Sequence, residues 1–203
     1  VGVFFCYRIM EKKYLPFNFK FLGNIDITEV VDKLSTFTED DWLRDVSRNL
    51  RGRAHQNTHS IGVLWDGDSL ANNSIAEKNE YNYNKIDFDS IKNTLLSIYK
   101  KHYGDGHILR VLLARLKPNS IILEHEDAGK SLLICNRTHI PLQTNDDIIF
   151  SVGHEEKILK PGEIWEINNA KLHSVKNNSN EYRIHLIVDY LKKNLGNNSS
   201  LLN

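Results

Sequence analysis

ILRVLLARLKPNSIILEHEDAGKSLLICNRTHIPLQTNDDIIFSVG, residues 108–153, decides the fold. Its apolar runs are short and are broken by KPNS (117–120), DAGK (127–130) and QTNDD (143–147). Short β-rich runs with frequent turn residues argue for an all-β sandwich or barrel rather than a parallel βαβ sheet. The pattern continues through KILK (157–160), EIWEINN (163–169), HSVKN (173–177) and YRIHLIVDYL (182–191), with KPGE and NNSNE as further breaks.

Upstream the chain reads as mixed. ITEVVDKLSTF (27–37) and DDWLRDVSRNL (40–50) have helical spacing of apolar residues, and SIGVLW (60–65) reads as a strand. FDSIKNTLLSIYKKHYGDG (88–106) is the clearest helix, with Asp89 or Ser90 as its cap and Gly104 as its stop. The polar stretch 66–84 reads as a loop, either a lid or a long mobile connection. The expectation is a mainly β protein with N-terminal helices packed on a jelly-roll, cupin-like core. It is read as one domain, 1–203: a mixed part 10–106, a core 107–190 and a loose tail 191–203. Met10 would make a plausible start, which leaves residues 1–9 as an upstream extension.

The 203 residues are 40% hydrophobic and 26% charged, enough apolar material for a packed core. Formal net charge is zero, which gives no electrostatic footprint for a nucleic acid or an anionic membrane. VGVFFCYRI (1–9) is far short of the ~20 apolar residues of a membrane span. Cys6 and Cys135 are too few for a disulfide framework or a cysteine zinc site, so a reducing cytoplasm is the expected setting. Oligomeric state is not readable.

In a strand, residues two apart share a face. His125 and Asp127 therefore point together, as do Arg137 and His139, and Arg183 and His185. Polar groups on a face that otherwise reads as core need partners. A metal is one economical solution. His-x-Asp supplies two ligands, and His173, at the start of a strand, supplies a third. Two histidines and a carboxylate with open positions make the facial triad of non-haem Fe(II) oxygenases. A buried Arg183 ten residues later would match a dicarboxylate co-substrate fork to fork. Arg137 and His139 would hold or orient a second carboxylate near the metal.

Taken singly, each of these residues has a plainer reading. His-x-Asp is usually a solvated turn, a lone histidine is usually structural, and a lone arginine is usually an ion-pair partner. Their order within one β-rich segment is what makes coincidence unattractive. His107 and His154 read as structural or exposed, and Trp165 as a strand anchor.

Residues 109–190 resemble the aspartyl/asparaginyl β-hydroxylase family of Fe(II)- and 2-oxoglutarate-dependent oxygenases. The resemblance rests on HED, NRTHIPL, PGEIWEINNAKLHSV and RIHLIVDY as a set. It implies a double-stranded β-helix, with His125, Asp127 and His173 as iron ligands. It implies that Arg183 binds the distal carboxylate of 2-oxoglutarate, with Arg137 and His139 near the co-substrate. O2 is the oxidant, and succinate and CO2 are released as an unactivated C–H bond becomes an alcohol. Peptide-modifying animal members lack the acidic ligand. With Asp127 present, this chain is more similar to bacterial members that hydroxylate free amino acids such as proline.

The substrate side is expected from LRGRAHQNTHSIGVLW (50–65), where Arg53 and His55 are two apart and would face the cavity. A basic surface loop explains that stretch equally well. Three functions compete: hydroxylation of a small amino acid or amino-acid-like compound, hydroxylation of a peptidyl aspartyl or asparaginyl side chain, and a non-catalytic cupin-like module binding a metal or small acid.

Overall fold

The computed structural model describes residues 15–44, 53–65, 77–127 and 130–193. Among them two antiparallel sheets face each other. The larger has the order β1-β9-β6-β11-β4-β2-β3 and the smaller β5-β10-β7-β8. The larger comprises β1 (Phe19–Asn24), β2 (Thr58–Trp65), β3 (Glu77–Lys78), β4 (Gly106–Leu116), β6 (Asn136–Gln143), β9 (Glu163–Ile167) and β11 (Arg183–Lys192). The smaller comprises β5 (Ser120–His125), β7 (Ile148–Val152), β8 (Glu155–Lys157) and β10 (His173–Asn177). From β4 onward the chain passes back and forth between the sheets, which is the jelly-roll winding expected from the turn spacing.

β11 shows how the sequence sorts the two faces of the large sheet. Ile184, Leu186, Val188 and Tyr190 join a core with Val30 of α1 (Thr28–Leu34) and with Leu95 and Tyr99 of the long helix Phe88–Tyr103. The alternate residues Arg183, His185, Ile187 and Asp189 face the small sheet, where the site lies. Between the sheets Phe19, Leu116, Ile122, Phe150, Val152, Ile167 and Val175 form a second apolar cluster. Leu186 is fully buried, and truncating such a side chain to alanine costs about 2–5 kcal/mol.

The helices anchor the first half of the chain to the sheet. α2 (Glu39–Leu43) starts with a capping box in which the Thr38 side chain accepts from the Asp41 N–H and the Asp41 carboxylate accepts from the Thr38 N–H. Arg115 of β4 pins α2 down: it is 4% exposed, binds both Glu39 oxygens at 2.6 and 2.8 Å, and lies between the Trp42 and Tyr182 rings.

Several local expectations need correction. The 66–84 loop is not uniform: residues 66–76 lie outside the described set, but Glu80–Lys85 form a helix, here α3. Asn79 caps it by accepting from the Asn82 N–H, and Tyr83 packs edge-on against Phe88. The long helix, α4, is capped by neither Asp89 nor Ser90. Its cap is Asp87 in the left-handed region (φ 50°), while Ser90 donates back to the Asp87 carbonyl and Asp89 accepts from Tyr83. Gly104 does end it, at φ 84°. LLIC opens as a short helix, α5 (Lys130–Ile134), before β6 begins. The strand expected at 60–65 is present as β2, paired with β4, and the first half adds a strand that was not expected, β1, paired with β9. Within the 40–50 helix reading, residues 45–50 fall outside the described residues, as do residues 1–9 and most of the 191–203 tail. Among the described residues no helix is long and apolar enough to cross a membrane.

Candidate metal centre

His173 opens β10 directly opposite His125, the last residue of β5. Their ring centroids are 4.3 Å apart. Asp127 follows β5 and is fixed by its N–H donating to the Asn169 carbonyl. One atom from each of the three converges, all within 4.8 Å of one another. Asp127 Oδ1 lies 4.0 Å from the Nε2 of each histidine.

The hydrogen bonds settle which atoms are offered. His125 Nδ1 contacts the Leu123 carbonyl at 2.7 Å and His173 Nδ1 the Lys171 carbonyl at 2.9 Å. A carbonyl only accepts, so each Nδ1 carries a proton and each Nε2 is the atom turned toward the cluster. Burial holds the His173 imidazole below its ordinary pKa, against the pull of Asp127. Two imidazole nitrogens and one carboxylate oxygen suit a divalent transition metal, and this donor set matches the two-histidine, one-carboxylate triad.

Arg137 donates from Nη1 to Asp127 Oδ2 at 2.8 Å. Its Nε and Nη2 bind the two oxygens of Asp189, each at 2.8 Å. Burial opposes the Arg137 charge, but Asp127 and Asp189 keep it protonated well above its ordinary value. So Arg137 is committed to Asp127 and Asp189.

A narrow cleft, part of it open to solvent, lies over the cluster. His139 and Arg183 line it with Ile122, Phe150, Val175 and Ile187. Arg183 is 1% exposed, lies 5.6 Å from the Phe150 ring centre, and approaches His185 Nδ1 at 2.7 Å. A guanidinium only donates, so His185 Nδ1 accepts and its proton sits on Nε2. His139 packs edge-on against Phe150 and His185, and its buried Nδ1 has no hydrogen-bond partner among the described residues. Burial, reinforced by Arg183, drives both His139 and His185 well below the usual histidine pKa.

The structure thus brings together His125, Asp127, His173, Arg137, His139 and Arg183. Of the two residues expected on the substrate side, His55 lines the cleft and meets His125 edge-on at 4.5 Å between ring centroids. Arg53 is exposed and does not line it. The reason is local geometry. Residues 53–55 form a 3₁₀ turn, not a strand; at three residues per turn, positions two apart diverge. His107 and His154 are exposed. Sequence reasoning missed Asp189, although its signal was present: it shares strand parity with Arg183 and His185 in RIHLIVD.

The aspartyl/asparaginyl β-hydroxylase family model matches residues 40–193. No curated protein matches the chain. Solved structures share the fold at low identity. A 2OG-Fe(II) oxygenase family protein from Burkholderia pseudomallei is 18% identical with a TM-score of 0.52, over 68% of this chain and 69% of that one. The viral collagen prolyl hydroxylase of Paramecium Bursaria Chlorella virus-1, solved with 2OG, is 11% identical with a TM-score of 0.52, over 88% and 97%. A Trichoplax adhaerens prolyl hydroxylase, solved with a hypoxia-inducible-factor peptide fragment, is 14% identical with a TM-score of 0.55, over 86% and 84%. With His125, Asp127 and His173 brought together on a jelly roll and the family model matching residues 40–193, the chain belongs to the aspartyl/asparaginyl β-hydroxylase family.

Proposed function

We propose that the protein hydroxylates an unactivated C–H bond of a small amino acid or amino-acid-like compound, using Fe(II), 2-oxoglutarate and O2. The observation that carries the reading is the convergence of His125, Asp127 and His173 beneath a narrow cleft also lined by buried Arg183. His125 Nε2, His173 Nε2 and Asp127 Oδ1 would hold the iron. Bound there with its co-substrate, iron supplies the oxidising chemistry, 2-oxoglutarate leaving as succinate and CO2. The chain's own residues do the rest. Arg183 presents a guanidinium for the distal carboxylate. His139, neutral and with an unpartnered Nδ1, offers a hydrogen-bonding edge beside it. Arg137 holds Asp127 in place. Phe150, Ile122, Val175 and Ile187 keep that end of the cleft dry, which strengthens the Arg183–carboxylate attraction. His55, at the opposite wall against His125, is the residue best placed to meet substrate.

The intact Asp127 favours a free small molecule over a peptide, by resemblance to the bacterial members that retain the acidic ligand. The test is an anaerobic titration of apo-protein with Fe(II) and then 2-oxoglutarate, following the weak visible charge-transfer band of the chelated iron. A band that is lost in Arg183→Ala supports the reading; succinate release is then screened across free amino acids and acidic or amide peptides. Iron binding without a band points to the non-catalytic cupin-like alternative. No iron binding overturns the proposal.

A further inference from the structure

Arg137 of β6, Asp189 of β11 and Arg110 of β4 sit directly opposite one another across three neighbouring strands. Asp189 is 1% exposed and accepts from Arg137 through both of its oxygens. Arg110 Nη1 lies 3.3 Å from Asp189 Oδ2. Arg110 is itself steadied by Ser131, to which it donates at 2.8 Å, and by the Trp65 ring, 4.4 Å away. With Asp127 at the other end, charges alternate along the row: Asp127, Arg137, Asp189, Arg110.

The consequence lies in what Asp189 leaves over. A guanidinium presents a two-pronged fork that matches both oxygens of a carboxylate. Asp189 takes Nε and one Nη2 hydrogen, which sets the plane of the guanidinium, and Nη1 reaches Asp127 at Oδ2. Oδ1 stays turned toward the two histidine Nε2 atoms. We propose that Asp189 is a positioning residue for the metal centre: by binding Nε and Nη2 of Arg137 it fixes the guanidinium so that Nη1 holds Asp127 at Oδ2 and keeps Oδ1 turned toward the two histidines. Outer partners that orient metal ligands commonly change metal affinity 10–100-fold when removed. The inference rests on Asp127 being a metal ligand.

The test uses the full-length protein, chelator-treated, titrated anaerobically with Co(II) and read by its visible d–d spectrum, with circular dichroism as the control for folding. Asp189→Asn is expected to bind Co(II) about 10–100-fold more weakly, with a spectrum shifted toward that of Asp127→Ala. Where the effect runs through Arg137, the double variant Arg137→Gln/Asp189→Asn binds no more weakly than Arg137→Gln. The double variant also serves if Asp189→Asn alone leaves Arg137 unbalanced and fails to fold. Wild-type affinity and spectrum in Asp189→Asn, or a further loss in the double variant relative to Arg137→Gln, would overturn the role of Asp189. Failure of the wild-type protein to bind Co(II) would instead overturn the metal reading itself.

Discussion

Acidification of the metal-free protein is a direct check on the buried histidine pair. His139 and His185 are 6% and 2% exposed and share the field of Arg183, and burial keeps both well below the ordinary histidine pKa of about 6.5. The unfolded chain has no such constraint and takes up a proton at each near pH 6.5. Both folded pKa values are depressed, so their contribution to stability is present above pH ~6.5 and is lost as pH falls. Between pH 7.0 and 5.5 the proton uptake on unfolding is worth up to about 1.2 kcal/mol per histidine, and so up to about 2.5 kcal/mol for the pair. Urea unfolding in the presence of a chelator, at the two pH values, measures it. His185→Gln, whose amide oxygen can still accept from Arg183, should remove up to about 1.2 kcal/mol of the drop. A change below about 0.5 kcal/mol in the wild type, or an undiminished drop in His185→Gln, would refute the argument that these imidazoles are buried neutral.

Other expectations follow from the same geometry. Arg183→Lys replaces a planar fork with a point charge and should weaken 2-oxoglutarate binding about tenfold or more while leaving Fe(II) affinity unchanged, as read by anaerobic calorimetry. Asp127→Ala should abolish tight Co(II) binding while the far-ultraviolet spectrum stays native. Arg115→Ala removes a cation packed between Trp42 and Tyr182 and should cost about 2–4 kcal/mol in urea; Glu39→Gln, at a side chain 64% exposed, should cost about 1 kcal/mol or less. Asp41, whose pKa is lowered to about 2 by Lys85 and then by the Thr38 N–H, gives stability that is present above pH ~4 and lost toward pH 2. Asp41→Asn should flatten that part of the acid-stability curve.

Much of the site was legible because strand parity is a local rule. Arg137 with His139, and Arg183 with His185, needed only alternation and a buried face, whereas Asp127 lies two residues past the end of β5 and is held by its N–H donating to the Asn169 carbonyl. The jelly roll followed from turn spacing in 108–153. Arg53 went astray because parity holds only in a strand, and RAH is a 3₁₀ turn. The α4 cap shifted to Asp87 because Tyr83, from the preceding helix, claims the Asp89 carboxylate. Strand parity put Asp189 on the site face, but its pairing with Arg137 and Arg110 was hidden for another reason. That pairing depends on register across β6, β11 and β4, which no one strand encodes.

β1 pairs along its length with β9, far along the chain, from Phe19 opposite Ile167 to Asn24 opposite Glu163. That outer strand cannot seat until β9 has been synthesised and has joined β6. During synthesis Phe19 and Phe21 wait without their partners Phe150 and Trp165, and β9 offers a bare edge to any strand that reaches it first. Such distant pairings slow folding. The period before β1 returns is therefore when a nascent chain is most open to chaperones and to aggregation.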